Sequence, residues 1–394
     1  MSEETAGSAR TLTRRSFLTR SSAISLLGQS ALTAGLFAAA NSARGATLLQ
    51  DADESEGDGI QWHDVRDWGL EGRGYSDTES YFDRLPARAK GIVRSAVWGL
   101  SRHSAGMMVR FRTNATAIHT DHAVTSSNLS MPHMPATGVS GLDLYAQDTD
   151  ASWKWVAVTR PASQEMNGQI VSGLDEGTRN FSVYLPLYNG TSRLRIGVPK
   201  GSTFEPIAPR TGKPIVFYGT SITHGACASR PGMPHPAILG RRLDCPVINL
   251  GFSGNGKMEA TVGQFLTELD PAAYVIDCLP NMSAAEVTSN TIPLVKQLRA
   301  AHPKVPLVLV EDRSYPAGWI KRSMLDRNLS SREALKKQYQ LLLEAGVEGL
   351  YYVDGESLLS QDRDDTTDGS HPSDLGFYRH ADAMEPILRQ AMNV

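Results

Sequence analysis

Two hydrophobic periods run along this chain, and they change over near residue 200. From Ile60 to Pro199 apolar and polar residues alternate. Val109-Arg110-Phe111-Arg112, Trp153-Lys154-Trp155 and Arg193-Leu194-Arg195-Ile196-Gly197-Val198 follow a period of two. Ile92 to Leu100, Gly141 to Ala146 and Asn180 to Leu187 are further short β-rich runs, separated by Gly, Pro, Asn and Asp. Alternation sends successive side chains to opposite faces of a strand, so residues 60–200 predict an antiparallel β-sandwich. Residues 201–213, rich in Gly, Pro, Ser and Thr, read as a linker.

Residues 214–394 have a different pattern. Five short apolar runs, Pro214 to Tyr218, Pro246 to Leu250, Ala273 to Leu279, Val305 to Val310 and Leu350 to Val353, alternate with helical stretches. The helices are expected around Ala237 to Leu243, Met258 to Leu269, a stretch ending near Ala301, a stretch ending at Gly346, and Leu375 to Met392. Ser283-Ala284-Ala285-Glu286 and Ser330-Ser331-Arg332-Glu333 read as capping boxes that open the third and fourth. Runs without internal alternation are buried on both faces, which predicts an α/β domain with a parallel sheet between two helical layers.

The N-terminus reads as an address. Twin arginines, Arg14-Arg15, precede Phe17-Leu18, and a mildly apolar run from Ala23 to Ala40 ends in small residues at Ala43. Residues 1–43 are expected to be a twin-arginine signal peptide, with a periplasmic or extracellular destination. The run is too short and too rich in Gly, Ser and Thr for a stable membrane anchor. Residues 44–59 are expected to be a flexible lead-in.

Composition narrows the function. The 394 residues carry a net charge of −3, which argues against a dedicated nucleic-acid binder. Three cysteines, Cys227, Cys245 and Cys278, support neither a disulfide framework nor a four-thiolate zinc site. Cys227 and Cys245 flank the first helix of the second half, and the sequence leaves their pairing open.

In open parallel sheets ligands bind beyond the carboxyl ends of the strands. Four reactive segments fall there: Gly219-Thr220-Ser221-Ile222-Thr223, Gly251-Phe252-Ser253-Gly254-Asn255-Gly256, Pro280-Asn281 and Asp368-Gly369-Ser370-His371-Pro372. A serine hydroxyl needs a base to become a nucleophile, and His371 can be that base. Asp368, three residues earlier, can orient its ring; Asp354, Glu356 and Asp374 are alternative acids. The N–H groups of Ser221 and Gly254 and the side-chain amide of Asn281 are candidates for an oxyanion hole. His224, Arg230, Glu311, Arg313 and Tyr315 follow the first and fourth strands and are candidate substrate contacts, with Glu311 and Arg313 alternatively a structural ion pair.

These residues resemble the four blocks of the SGNH (GDSL-like) hydrolase superfamily. Ser221 matches the nucleophile, Gly254 the glycine of the second block, Asn281 the asparagine of the third, and Asp368 with His371 the last. Thr220 replaces the usual Asp, and Leu279 and Met282 flank Asn281 where Gly and Asp are usual. Gly141-Leu142-Asp143-Leu144-Tyr145 resembles the Gly-x-Asp-Leu-Tyr signature of the sandwich domain preceding one branch of SGNH esterases. The resemblance implies a flavodoxin-like three-layer hydrolase domain behind a jelly-roll-like sandwich. It also implies a serine esterase needing no metal or organic cofactor, acting on acylated, preferably acetylated, oligo- or polysaccharide. A lipase or lysophospholipase and a non-catalytic carbohydrate-binding protein are the alternatives. Trp153 and Trp155, on one strand face, would give the latter a stacking platform or else form sandwich core.

Three other motifs carry less. Gly251 to Met258 nearly spells a phosphate-binding loop, but Met258 stands where a Mg²⁺-binding Ser or Thr belongs. Gly219 to Thr223 lacks the second glycine of an α/β-hydrolase elbow. His119-Thr120-Asp121-His122 has no evident third metal ligand and reads as a polar strand end.

Overall fold

The computed structural model describes residues 59–394. The segment 1–43 and nearly all of the lead-in 44–59 lie outside the described residues. Among those residues no helix is long and apolar enough to cross a membrane.

The first half forms two antiparallel sheets. Its strands are β1 (Ile60–Asp64), β2 (Met108–Thr113), β3 (Ala117–Val124), β4 (Asp143–Gln147), β5 (Trp153–Val158), β6 (Glu165–Ser172), β7 (Arg179–Tyr184), β8 (Thr191–Pro199) and β9 (Phe204–Ile207). They pair in the orders β1-β8-β3-β6 and β5-β4-β7-β2-β9. Val109 and Phe111 of β2, Phe181 and Val183 of β7, Ile118 of β3 and Leu194 and Ile196 of β8 meet in one core. Their alternation with polar neighbours is the period of two seen in the sequence.

Two expectations for this half need correction. The run Ile92 to Leu100 is no strand; it contains helix α1 (Ser95–Ser101), and a second short helix, α2 (Ala136–Val139), precedes β4. Within α1, Val97 is buried in the core and Leu100, three residues on, packs against it, which is helical spacing. The expected linker holds β9, which pairs with β2. Phe204 stacks on His63 and Phe111, with ring centroids 3.7 and 5.2 Å away, so packing overrides a loop-like composition.

The second half is a parallel sheet of β10 (Ile215–Gly219), β11 (Val247–Gly251), β12 (Ala273–Asp277), β13 (Leu307–Val310) and β14 (Leu350–Val353), in the order β11-β10-β12-β13-β14. This is the flavodoxin-type order, whose switch point lies between β10 and β12. Its helices are α3 (Ser221–His224), α4 (His235–Arg242), α5 (Ala260–Leu266), α6 (Ala284–Ala301), α7 (Arg322–Glu344) and α8 (Asp374–Met392). Alternate strand residues sort into two cores. Val216, Tyr218, Tyr274 and Ile276 meet residues of α5, α6 and α7. Ile215, Phe217 and Val275 meet Ile238 and Leu239 of α4 and Phe377, Met384 and Leu388 of α8.

The box at Ser283 and Glu286 caps α6 as expected. The box at Ser330 does not cap α7, which starts eight residues earlier, at Arg322. The hydroxyls of Ser330 and Ser331 instead donate to the carbonyls of Arg327 and Asn328 inside the helix.

The two halves share their interiors. Tyr75, Leu85, Ala89, Val93 and Val97 belong to the core under α5 and α6. Buried Arg84 donates to the carbonyls of Asn249 and Gly251 on β11, at 3.0 and 2.8 Å. A second joint uses the signature segment of β4. Buried Asp143 accepts from Arg230 Nη1 at 2.9 Å, Gly232 N at 2.8 Å and Trp155 Nε1 at 2.9 Å.

Candidate active site

Strand β10 ends at Gly219, where a Cβ would collide with Thr223 Oγ1 and the Asp277 carbonyl. Only glycine lets the chain turn directly into α3. Thr220 caps that turn, accepting from Ile222 N at 3.3 Å, and Ser221 is left 7% exposed at the sheet edge. Its Oγ lies 2.9 Å from His371 Nε2. His371 Nδ1 lies 2.7 Å from Asp368 Oδ2. A carboxylate only accepts, so Nδ1 carries the hydrogen and Nε2 is free to take the serine proton.

The Asp368 loop is locally built. Asp368 Oδ1 accepts from Ser370 N at 2.9 Å and His371 N at 2.8 Å. Burial alone would push the Asp368 carboxyl up, but the amide and ring of His371 outweigh it and hold it below the usual range. The alternative acids are engaged elsewhere: Asp374 accepts from Ser229 N at 2.9 Å, Asp354 from Glu356 N at 3.0 Å, and Glu356 pairs with Arg332.

Asn281 stands at the end of a short turn after β12. Its surroundings orient the carboxamide: Oδ1 accepts from Asn255 N at 2.9 Å and Gly256 N at 3.2 Å. Nδ2 is thereby turned away from the loop and kept as a donor. Gly254 sits beside this pair at φ +68, with open space where a Cβ would be. The phosphate-loop likeness therefore serves another purpose. Loop amides hold Asn281, and Lys257 pairs with Glu286 at 3.1 Å.

The remaining candidates are mostly structural. His224 is fully buried, stacked on Tyr188 at 4.1 Å, with Nε2 on the Leu187 carbonyl at 2.6 Å; burial pulls its pKa well down. Arg230 belongs to the Asp143 joint and lies over Trp155 at 4.9 Å. Glu311 is buried, accepting from Tyr352 Oη at 2.6 Å and Gly355 N at 2.9 Å. It pairs with Arg332 at 3.6 Å, not with Arg313. Arg313, 1% exposed, pairs with Asp312 and donates to Ser370 O at 2.9 Å and Ser370 Oγ at 2.7 Å, clamping the His371 loop. Tyr315 is half-buried under the Arg313 guanidinium, 4.1 Å from it. None of these five presents a free head to the Ser221 hydroxyl.

Other motifs also resolve. Asp121 is held by Arg193 at 3.0 Å and Arg195 at 2.6 Å, and His122 is buried against Thr191, as a polar strand end would be. Trp153 packs against the buried Tyr145 and Tyr184 cluster, whereas Trp155 is 50% exposed. All three cysteines are free.

Three residues near Ser221 were invisible in the sequence. Tyr188 Oη donates to the Ser221 carbonyl at 3.3 Å. The His133 ring lies 5.8 Å from that of His371. Cys227 is buried beside Asp368. No local pattern marks them, because each contact joins segments far apart in the chain. Beside Asn281 opens a cleft of about 500 Å³, lined by Ser283, Ser323, Asp326, Arg327 and Ser330.

Known proteins fit this geometry. The model of the GDSL-like Lipase/Acylhydrolase family matches residues 212–389, and that of the N-terminus of Esterase_SGNH_hydro-type matches residues 60–204. Among solved structures, a Bacteroides ovatus ATCC 8483 chain named for its likeness to GDSL lipases is 31% identical, with a TM-score of 0.81 over 85% of this chain and 98% of its own. The salicylyl-acyltransferase SsfX3 of a tetracycline biosynthetic pathway shares the fold at 19% identity, with a TM-score of 0.67 over 86% and 99%. So does a family two carbohydrate esterase from Cellvibrio japonicus, at 12% identity, with a TM-score of 0.54 over 85% and 98%. No curated protein matches the chain. A serine–histidine–aspartate line at the rim of a 2-1-3-4-5 sheet, both domain matches and the Bacteroides likeness have one reading: the chain belongs to the SGNH (GDSL-like) hydrolase superfamily, in the branch with an N-terminal GxDLY sandwich, and is an ester hydrolase.

Proposed function

We propose that the chain is an exported serine esterase that removes O-acyl groups, chiefly O-acetyl, from oligo- or polysaccharides. The observation that carries the mechanism is the continuous line from Ser221 through His371 to Asp368, at 2.9 and 2.7 Å. Ser221 Oγ attacks the ester carbonyl while His371 Nε2 takes its proton. The tetrahedral oxyanion is held by Asn281 Nδ2 and the N–H groups of Ser221 and Gly254. His371 returns the proton to the departing sugar hydroxyl, leaving an acyl-serine. A water activated by the same imidazole then releases the acid. Asp368 keeps the ring in one tautomer and stabilises the imidazolium.

The substrate reading is supported by the cleft beside Asn281, where Ser283, Ser323, Asp326, Arg327 and Ser330 offer hydrogen-bonding groups to a hydroxylated ligand beside the apolar Met282 and Ala284. The acetyl xylan esterase Est2A from Butyrivibrio proteoclasticus shares the fold. Export rests on Arg14-Arg15 and the apolar run behind them.

The test is acetate release from a panel of acetylated glycans, with lysophospholipid as a competing substrate. Ser221→Ala and His371→Ala should each lose at least about a thousandfold in kcat. Undiminished release by both variants rejects the mechanism. Preference for the lysophospholipid rejects the substrate class.

A further inference from the structure

His133, Cys227, Asp368 and His371 each offer a ligand atom, and these atoms all lie within 4.8 Å of one another. Two of the four are used by the ester chemistry. The other two have no part in it and come from elsewhere in the chain. His133 is carried by a tight turn in the sandwich half, where Met131 and Met134 exchange backbone hydrogen bonds at 2.9 and 3.0 Å. Cys227 lies on the loop after α3 and holds a left-handed backbone at φ +70, a conformation that side chains other than glycine rarely adopt. Strain of this kind persists where the surroundings enforce it and often marks a working site.

We propose that these four side chains bind one divalent cation of the zinc class, and that its binding switches the esterase off. Two imidazoles, a thiol and a carboxylate are the donor types zinc takes in tetrahedral sites. Ideal tetrahedral edges at zinc bond lengths are about 3.3–3.8 Å, so even the widest separation need close by no more than about 1.5 Å. The sulfur discriminates against Mg²⁺ and Ca²⁺, which prefer oxygen. The Cys227 thiol must give up its proton to coordinate as a thiolate. A Lewis-acidic cation displaces that proton to solvent on binding.

Inhibition follows whichever nitrogen of His371 coordinates. Taking Nδ1 breaks the bond to Asp368, and taking Nε2 breaks the bond to Ser221. The inhibitory half of this proposal rests on the esterase reading above. The binding half does not.

The experiment uses the purified full chain, stripped with EDTA. Hydrolysis of an aryl acetate is followed while Zn²⁺ is added, each variant being compared with its own metal-free rate. Zn²⁺ should inhibit the unaltered chain at micromolar concentration, reversibly by EDTA, whereas Mg²⁺ should not. His133→Ala and the near-isosteric Cys227→Ser should each need about tenfold more Zn²⁺, and the double variant more still. In parallel, Co²⁺ added to Ser221→Ala should give a sulfur-to-cobalt charge-transfer band that Ser221→Ala/Cys227→Ser lacks. Absence of inhibition, equal sensitivity in the double variant, or absence of the cobalt band overturns the proposal. If no acyl ester is turned over, the cobalt arm alone decides the binding, so failure of the function and failure of the site remain distinguishable.

Discussion

The parallel-sheet half and the sandwich half hold their polar residues in different ways. In the first, the turns that carry the reactive groups are shaped largely by neighbours close in the chain. Asp368 binds the amides of Ser370 and His371, and Thr220 caps its own turn. In the second, polar residues reach across long sequence separations and end on buried partners. Asp143 meets Arg230 and Gly232, and Arg84 meets β11. The reactive loops are thus shaped by short-range bonds, while the foundation that joins the halves is made of long-range ones.

Breaking the foundation should cost the most. Asp143→Ala removes a fully buried carboxylate and leaves Arg230, Gly232 N and Trp155 Nε1 without their acceptor. Urea unfolding should show a loss of about 3–5 kcal/mol, with kcat per folded molecule changed little. A variant as stable as the parent would mean that the signature aspartate does not join the halves.

A second variant probes the floor of the site. Asp277 is buried at the end of β12 and accepts from Thr223 Oγ1 at 2.8 Å; burial raises its pKa to about 7. The folded chain favours the protonated carboxyl. Its contribution to stability is therefore full below the unfolded value, near 3.8, and is lost as pH rises through about 7. Asp277→Asn should abolish that loss. It should gain up to a few kcal/mol over the parent between pH 4 and pH 8, as read by chemical unfolding at both. An unchanged pH difference would assign the sensitivity to other groups.

The smallest effect is the most diagnostic. Arg313→Lys keeps a cation beside Asp312 but cannot span both oxygens of Ser370. We expect kcat to fall about tenfold, with KM and unfolding midpoint nearly constant, because only the His371 loop is loosened. A fall in stability with kcat intact would make Arg313 a core residue and nothing more.

Legibility in the sequence followed the same division. The five strands of the parallel sheet, the capped start of α6 and the Asp-x-x-His pair all announce themselves through spacing, because local spacing is what forms them. Strand β9 hid in a loop-like composition, since its stability comes from Phe204 packing on residues of β1 and β2. The start of α7 was misplaced because Ser330 and Ser331 satisfy their hydroxyls inside the helix. His224 looked available from its position after β10, yet Tyr188 and Leu187 from the other half cover it. Arg84 reaches β11 and His133 reaches His371 across more than a hundred positions, which no window on the chain can reveal.

The shared interior also limits how this enzyme can be cut or recombined. Excising the catalytic portion at residue 212, where one family match begins, would strip Tyr75, Leu85, Val93 and Val97 from its hydrophobic packing and the Arg84 guanidinium from the β11 carbonyls. What reads along the sequence as two modules in tandem would then behave as one folding unit, with no clean breakpoint for truncation, shuffling or grafting.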